Sequence, residues 1–437
     1  MAQAKGRKRT RQQFTGMMDE LFPVEMFANW AVHGNALWTP RRVVWVSLIM
    51  CWLPGHTLQE RFTAARKIVK YLQPGWKLPT SHHGFVDAQM QWGPVVWIAL
   101  AARLRPDESF GEAWRVAGWL VLAVDGSRFE CPRTTANERD LKCAGKEKTN
   151  PQIFQTTLQH VGTGLPWDIR LGPGTDSERR HLDDMLDDLP SQSLLTADAG
   201  FISFELCKWL IDNDHTFVLR VGGNITLLEG LGWEQESRGN VVYLWPQKYR
   251  SQKPLVLREI RFRSPGGLPV VLLTNEFDEE CLTDDQVKEI YSSRWDIEVY
   301  YRSLKQTWGF SKLLSRTAGT CLNEQRWRLL SQWALQHVVV KILIDAGVNP
   351  RRYSPAQTRR IIRELLQEVL ENETSEPLRK RLVKSVKDTY RRKGSKQTRN
   401  WPRKKQETPP QPPQKRLAKA SEVRKAKLLG FLVRLNS

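Results

Sequence analysis

The chain has 437 residues, 40% of them hydrophobic and eighteen of them Trp, which is enough apolar material for two or three packed domains and excludes a disordered protein. The formal charge of +20 is carried at the ends: twenty Lys and Arg against three acids in 377–437, and five cations without an acid in 1–11, leave the intervening chain near neutral. Two basic ends on a neutral body suit a polyanion such as DNA, with solubilising tails as the bland alternative, and the longest apolar stretch, Val43 to Leu53, is too short to cross a bilayer.

In chain order, residues 1–16 read as a flexible basic arm. From 17 to 112 the pattern is helical and Trp-rich, with Thr39-Pro40 as a helix start leading into Val43, Val44, Ser47, Leu48 and Cys51 at helical spacing. Trp119 to Val124 is a continuous apolar run, read as a buried strand that ends in a turn at Asp125-Gly126-Ser127. Strands follow at Ile153–Val161 and Trp167–Leu171, then a helix at Ser177–Asp188 and a strand at Leu194–Ala197 that ends in Asp198-Ala199-Gly200. A helix at Ser203–Asn213 and a strand at Thr216–Val221 complete an α/β layered pattern. Residues 222–268 interrupt it as a mostly β insertion, and Val270–Leu273 resumes it.

A capping box, Thr283-Asp284-Asp285-Gln286, starts a helix predicted to run to about Thr307. At roughly 100° per residue, with Tyr291 at zero, Arg294, Glu298 and Lys305 fall near 300°, 340° and 320°, on one face. Ile290, Ile297 and Leu304 form an adjoining apolar stripe that can anchor the helix. Long helices are also predicted at Glu324–Ala346 and Pro355–Leu370, before a Lys/Arg-rich tail from Arg391 that contains Pro409-Pro410-Gln411-Pro412-Pro413 and reads as extended or disordered.

Asp125 and Asp198 each close an apolar strand, where an open α/β sheet meets its ligands. Two strand-end carboxylates and one from a helix can hold two Mg²⁺ ions through oxygen ligands and serve an in-line displacement at phosphorus. Each piece alone is ordinary: an Asp at a strand end is commonly a turn or cap residue, and mixed charges on one helix face are commonly a solvated face.

The combination is more specific. Tyr291-x2-Arg294-x3-Glu298-x6-Lys305 resembles the signature of the IS4 family of bacterial insertion-sequence transposases, and Asp125-Gly126-Ser127 and Asp198-Ala199-Gly200-Phe201 resemble its two aspartate motifs. The likeness runs from about 115 to 345 and includes Gly162-Thr163-Gly164-Leu165-Pro166 and Trp295-Asp296-Ile297-Glu298. It implies an RNase H-like catalytic core, a mixed sheet flanked by helices, with a β insertion between the second Asp and the Glu. It implies cleavage at transposon ends and strand transfer into target DNA by a DDE triad of Asp125, Asp198 and Glu298 holding two Mg²⁺ ions, with Mn²⁺ as a substitute. Tyr291, Arg294 and Lys305 match residues that contact DNA phosphates near the cut. Some members pass through a DNA hairpin and stack a flipped base on a Trp of the insertion, for which Trp233 and Trp245 are the candidates, though either can instead fill the insertion's core.

The resulting organisation is a basic arm (1–16), a helical domain expected to bind DNA (17–112), the first part of the core (113–221), the β insertion (222–268), the second part of the core (269–347), a helical region (348–390) and a basic tail (391–437). The expected partners are double-stranded DNA, as terminal inverted repeats and as target, and a second copy of the chain in the DNA complex, with no membrane. The expected location is the cytoplasm, on the nucleoid. Arg128, Arg133, Lys142, Lys146 and Lys148 after the first aspartate can track a phosphate backbone or form a solvated loop, and Trp401-Pro402-Arg403-Lys404-Lys405 divides evenly between DNA binding and a solubilising tail. Six scattered cysteines without a C-x-x-C pair signal neither zinc nor disulfides, His82-His83 and the aspartates at 183–188 read as surface residues, and Glu178 is a helix N-terminal acid or a neighbour of the site. The competing functions are an RNase H-like nuclease that cuts without joining and a DNA-binding protein that has lost catalysis.

Overall fold

The structure, a computed structural model, describes residues 2–145, 149–233, 240–264, 267–371, 376–387 and 411–431. It divides into two compact units: Met1–Trp114, Gly126–Ser177 and Ile297–Asp388 form the first, and Arg115–Asp125, Glu178–Asp296 and Thr389–Ser437 the second. Lys146, Lys148 and the Trp401 segment lie outside the described residues. No helix is long and apolar enough to cross a membrane among the described residues, and all six cysteines are free.

The first unit is mainly helical. Helix α1 (Ala2–Leu21) replaces the expected flexible arm. Phe14, Met17, Met18, Leu21 and Phe22 recur at helical spacing and are buried, so apolar burial outweighs the charge of the preceding cations. Helices α2 (Pro40–Trp52), α3 (Leu58–Leu72) and α4 (His82–Leu104) follow, with Pro40 in the first turn of α2 and an extended Thr39 before it that makes no side-chain cap. Helix α5 (Thr135–Leu141) precedes a hairpin.

 That hairpin pairs β2 (Gln152–His160) antiparallel with β3 (Pro166–Pro173), whereas β1 (Leu120–Glu130) runs into this unit from the second one. At the hairpin turn, a Cβ on Gly162 would stand 2.0 Å from the Ala113 carbonyl oxygen, so only glycine fits there.

Helix α10 (Ala318–Asp345) is buried along most of its length, beginning six residues before the predicted start. Trp52 Nε1 donates to Ser331 O at 3.0 Å, and Trp333 Nε1 donates to Leu104 O at 2.9 Å, so two indoles that bury their rings also satisfy their N–H groups. Helices α11 (Pro355–Glu371) and α12 (Leu378–Leu382) contribute Ile362, Leu365, Leu366 and Leu382 to the same core as α1–α4 and α10. The amino-terminal and carboxy-terminal helices, separate segments in the sequence reading, therefore share one core.

The second unit is built on a mixed sheet. Strands β1, β4 (Ser193–Ala197) and β5 (Thr216–Arg220) are parallel neighbours, as expected for apolar runs separated by helices α6 (Glu178–Leu186) and α7 (Phe204–Asp212). The β insertion supplies β6 (Thr226–Glu229), β7 (Val241–Leu244) and β8 (Leu255–Arg263), and it joins the core sheet through β9 (Pro269–Thr274), which is antiparallel to both β8 and β5. Helix α8 (Asp284–Ser293) starts on the predicted capping box: Gln286 N donates to Thr283 Oγ1 at 3.2 Å and Thr283 N to Gln286 Oε1 at 2.9 Å. This is the mixed-sheet α/β core, flanked by helices, that the RNase H-like expectation requires.

The tail departs from its prediction. Residues 414–417 form β10 (Gln414–Leu417), parallel to β6 at the sheet edge, followed by α13 (Ala420–Leu428). Charge pairs hold this clasp down. Lys415 Nζ lies 2.8 Å from Glu229 and 2.7 Å from the buried Glu259, and Glu422 pairs with Arg416 and with Arg250, each at 2.7 Å. The Arg416 guanidinium, with Lys419 N–H and Arg250, holds the Glu422 pKa at about 2 against an ordinary 4.5. A depressed carboxylate pKa stabilises above the unfolded value and stops doing so as pH falls through the folded one. Glu422→Gln is therefore expected to speed amide exchange in 414–428 at pH 7, with the difference from the parent closing between about pH 4.5 and 2; a difference independent of pH would contradict this account.

Candidate active site

The two aspartates follow a pair of neighbouring parallel strands. The register of β1 and β4 ends with Ala123 beside Thr196, and Asp125 and Asp198 each come two residues later. Asp198 follows the last residue of β4, as predicted. Asp125 does not begin a turn: β1 continues to Glu130, and burial falls off from Asp125 within the strand.

Asp198 is held at one oxygen. Its Oδ1 accepts from Ala199 N at 2.8 Å and from the Tyr291 hydroxyl at 3.2 Å, and Arg220 Nη1 lies 3.4 Å away. The Arg294 guanidinium, 7% exposed, sits over the Tyr291 ring at 5.5 Å. Burial, then the neighbouring Asp198 charge, pushes the Tyr291 pKa up, so the phenol stays a donor at neutral pH. The loop after Asp198 is pinned by α6: Arg179 Nε donates to Gly200 O at 2.6 Å, and a Cβ on Gly200 would stand 3.0 Å from Glu178 Oε1. Glu178 is thus a neighbour of the aspartate loop.

Glu298 and Lys305 belong to the first unit. Glu298 lies on α9 (Trp295–Arg302), which is fixed by the buried Ile297 and Tyr300 and by the Tyr301 hydroxyl, which donates to Gln155 O at 3.2 Å and lies 3.0 Å from Thr157 Oγ1. Lys305 Nζ donates to Ser127 Oγ at 2.8 Å, two residues after Asp125 in sequence, and lies 5.0 Å from the Phe129 ring centroid. Burial lowers the Lys305 pKa, opposed by Glu130.

The single helix predicted from Thr283 to Thr307 is interrupted twice. Arg294 separates α8 from α9, and Ser303–Thr307 is a π-helical turn. The wheel angle computed for Lys305 therefore does not hold, because a π turn adds a residue to each turn of the ladder. Trp245 is corrected as a base-stacking candidate: it is 1% exposed, its Nε1 donates to Tyr249 O and Gln252 O, and Arg250 covers its ring at 4.2 Å. Trp233 is half-buried, with its ring 4.6 Å from that of Phe277.

Arg220 escaped the sequence reading, and Trp295 entered it only as part of the motif around Glu298. Arg220 closes the apolar strand β5 and, one position past the Ala197–Leu219 pair, stands opposite Asp198; a charge ending an apolar strand was the available signal. Trp295 is 52% exposed between Arg294 and Glu298, an unusual setting for an indole.

Asp125 and Asp198 offer oxygen donors, which suit a hard divalent cation, and Arg220 and Tyr291 lie against the Asp198 carboxylate. Among the described residues, no three His, Cys, Asp or Glu side chains are already gathered for a metal ion.

The profile of the family described as Transposase DDE domain matches residues 118–320, a range that contains Asp125, Asp198 and Glu298. Transposase InsG for insertion sequence element IS4 of Escherichia coli (strain K12) is 25% identical over 345 residues, covering 74% of this chain and 76% of that protein. A putative transposase for insertion sequence element IS4SA of Synechocystis sp. (strain ATCC 27184 / PCC 6803 / Kazusa) is 24% identical over 160 residues, 36% of this chain and 44% of that one. The piggyBac transposase in its synaptic complex with hairpin DNA aligns with a TM-score of 0.41 at 13% identity over 88% of this chain and 87% of that chain, a score too low to carry a conclusion. In its ordered motifs, its mixed α/β core and its sequence relatives, the chain is similar to DDE transposases of the IS4 type.

Proposed function

We propose that this DNA transposase cuts double-stranded DNA at the terminal inverted repeats of a mobile element and joins the freed 3′ hydroxyl to target DNA by in-line displacement at phosphorus. The reading is supported by Asp125 and Asp198, each two residues beyond the last parallel pair of β1 and β4, and by the Tyr291 hydroxyl on Asp198. The family uses divalent metal ions, and Asp125, Asp198 and Glu298 are the residues that would hold two Mg²⁺ ions, with Mn²⁺ as a substitute. Such ions, when bound, polarise the attacking oxygen and stabilise the leaving one.

The chain's own groups do the rest. Ala199 N–H, Tyr291 and Arg220 orient the Asp198 carboxylate. Tyr291, Arg294 and Lys305 supply donors and positive charge to phosphates near the cut. The Ser127 hydroxyl holds the Lys305 ammonium until a phosphate competes for it. Trp233 and the exposed Trp295 offer ring faces on which an unstacked base can rest. Two copies of the chain would grip two element ends, in the cytoplasm where the nucleoid is the target.

Incubation with end-containing duplex, a target plasmid and Mg²⁺ is expected to give covalently joined products. Cleaved ends without joining would instead identify a nuclease, and binding without cleavage a protein that has lost catalysis.

A further inference from the structure

Within the first unit, three arginines gather where α2 ends. The last carbonyls of a helix have no intrahelical donor. Arg363 of α11 supplies one, its Nε donating to Trp52 O at 3.0 Å. Arg61 of α3 donates to Gly55 O, three residues on, from Nε at 2.9 Å and from Nη2 at 2.7 Å. Arg359 lies one turn before Arg363, on the same face of α11.

Capping explains the bond to Trp52 O and leaves the charge unexplained. Like charges four residues apart on a helix repel. Burial, and after it the Arg359 and Arg61 charges, pulls the Arg363 pKa down to about 10. The nearby acids of α11 are engaged elsewhere: Glu364 and Glu368 both pair with Arg381, and Arg360 lies 3.8 Å from Glu364. Moreover, Arg359 Nε is buried with no hydrogen-bond partner among the described residues. A buried donor without an acceptor is a cost to folding that an acceptor arriving from outside removes.

We infer that Arg61, Arg359 and Arg363 form a phosphate-binding site that takes a phosphodiester of the DNA backbone. The inference rests on the DNA transposase reading and adds to it a contact in the helical unit. Guanidinium forks match phosphate oxygens with paired hydrogen bonds, and one phosphate both offsets the clustered charge and supplies an acceptor for Arg359. The contact positions the duplex without reading its sequence, because a phosphate carries no base identity.

The test uses the full chain and a labelled duplex, with affinity followed by anisotropy over a salt series from about 50 to 200 mM. Arg359→Gln is expected to weaken binding to unrelated sequences equally and to reduce the logarithmic salt slope by about 1, and Arg359→Lys to keep most of that slope. Melting without DNA gives the second readout. The Gln variant should be at least as stable as the parent, since a repulsion is removed, whereas a purely structural arginine would leave a less stable protein. An unchanged salt slope, or a marked loss of stability, overturns the site while the functional reading stands; a parent chain that binds no duplex at any salt defeats the functional reading itself.

Discussion

Asp198→Asn is expected to slow strand cleavage by about a thousand-fold or more, because losing several kcal/mol of transition-state stabilisation at a metal site costs a factor of ten per 1.36 kcal/mol. Asn has nearly the shape of Asp, and its amide oxygen can still accept from Ala199 N and Tyr291, the donors that now converge on Oδ1. Fold and loop geometry should therefore survive, while one anionic metal ligand is lost. DNA affinity measured without divalent metal should change little or rise, since a negative charge beside the duplex is gone. The checks are single-turnover cleavage of an end-containing duplex, a melt and a binding curve on the same preparation. Titration with Mn²⁺ should show weaker metal binding by the variant. Cleavage at the parent rate would remove Asp198 from the site, and a collapsed melt would show that the residue serves folding instead.

The core was legible where one physical signal acted alone. Apolar runs such as Leu120–Val124 and Leu194–Ala197 can only be buried strands, and a charge closing each run marks the sheet's ligand-binding end. The capping box at Thr283 located its helix to the residue. Elsewhere two signals competed. The cations of 1–11 masked the spacing of Phe14, Met17, Met18 and Leu21, which decides that α1 is a packed helix. The charge and proline of the tail masked β10, whose stability comes from Glu229, Glu259 and Arg250, residues more than about 150 positions away. The π turn at 303–307 has no local signature in the sequence, so the face of Lys305 could not be read from a regular helix. Arg220 was missed because its meaning lies in register with Asp198 on the next strand, and register is a property of pairing that a single strand does not contain.

Arg328→Met is expected to destabilise the protein by about 3–5 kcal/mol, the usual cost of stranding one member of a buried ion pair. Arg328 and Glu324, one turn apart on α10, are both buried and in direct contact. Arg328 also donates to Lys312 O at 2.9 Å, and Glu324 accepts from Leu314 N at 3.0 Å and Ser315 N at 2.9 Å. The pair thus ties 312–315, the segment after the π turn that carries Lys305, to the central helix of the first unit. Removing the guanidinium leaves a buried carboxylate without the cation it touches, which drives the segment to open. Glu324→Gln added to Arg328→Met should recover most of the lost stability, because a neutral amide oxygen can still accept from Leu314 and Ser315. Denaturant melts of the two single variants and the double variant give the coupling directly. A double variant no more stable than Arg328→Met would show that the guanidinium acts mainly through its carbonyl bonds and its packing 5.1 Å from the Phe310 ring centroid, and that the charge pair is incidental to holding the segment.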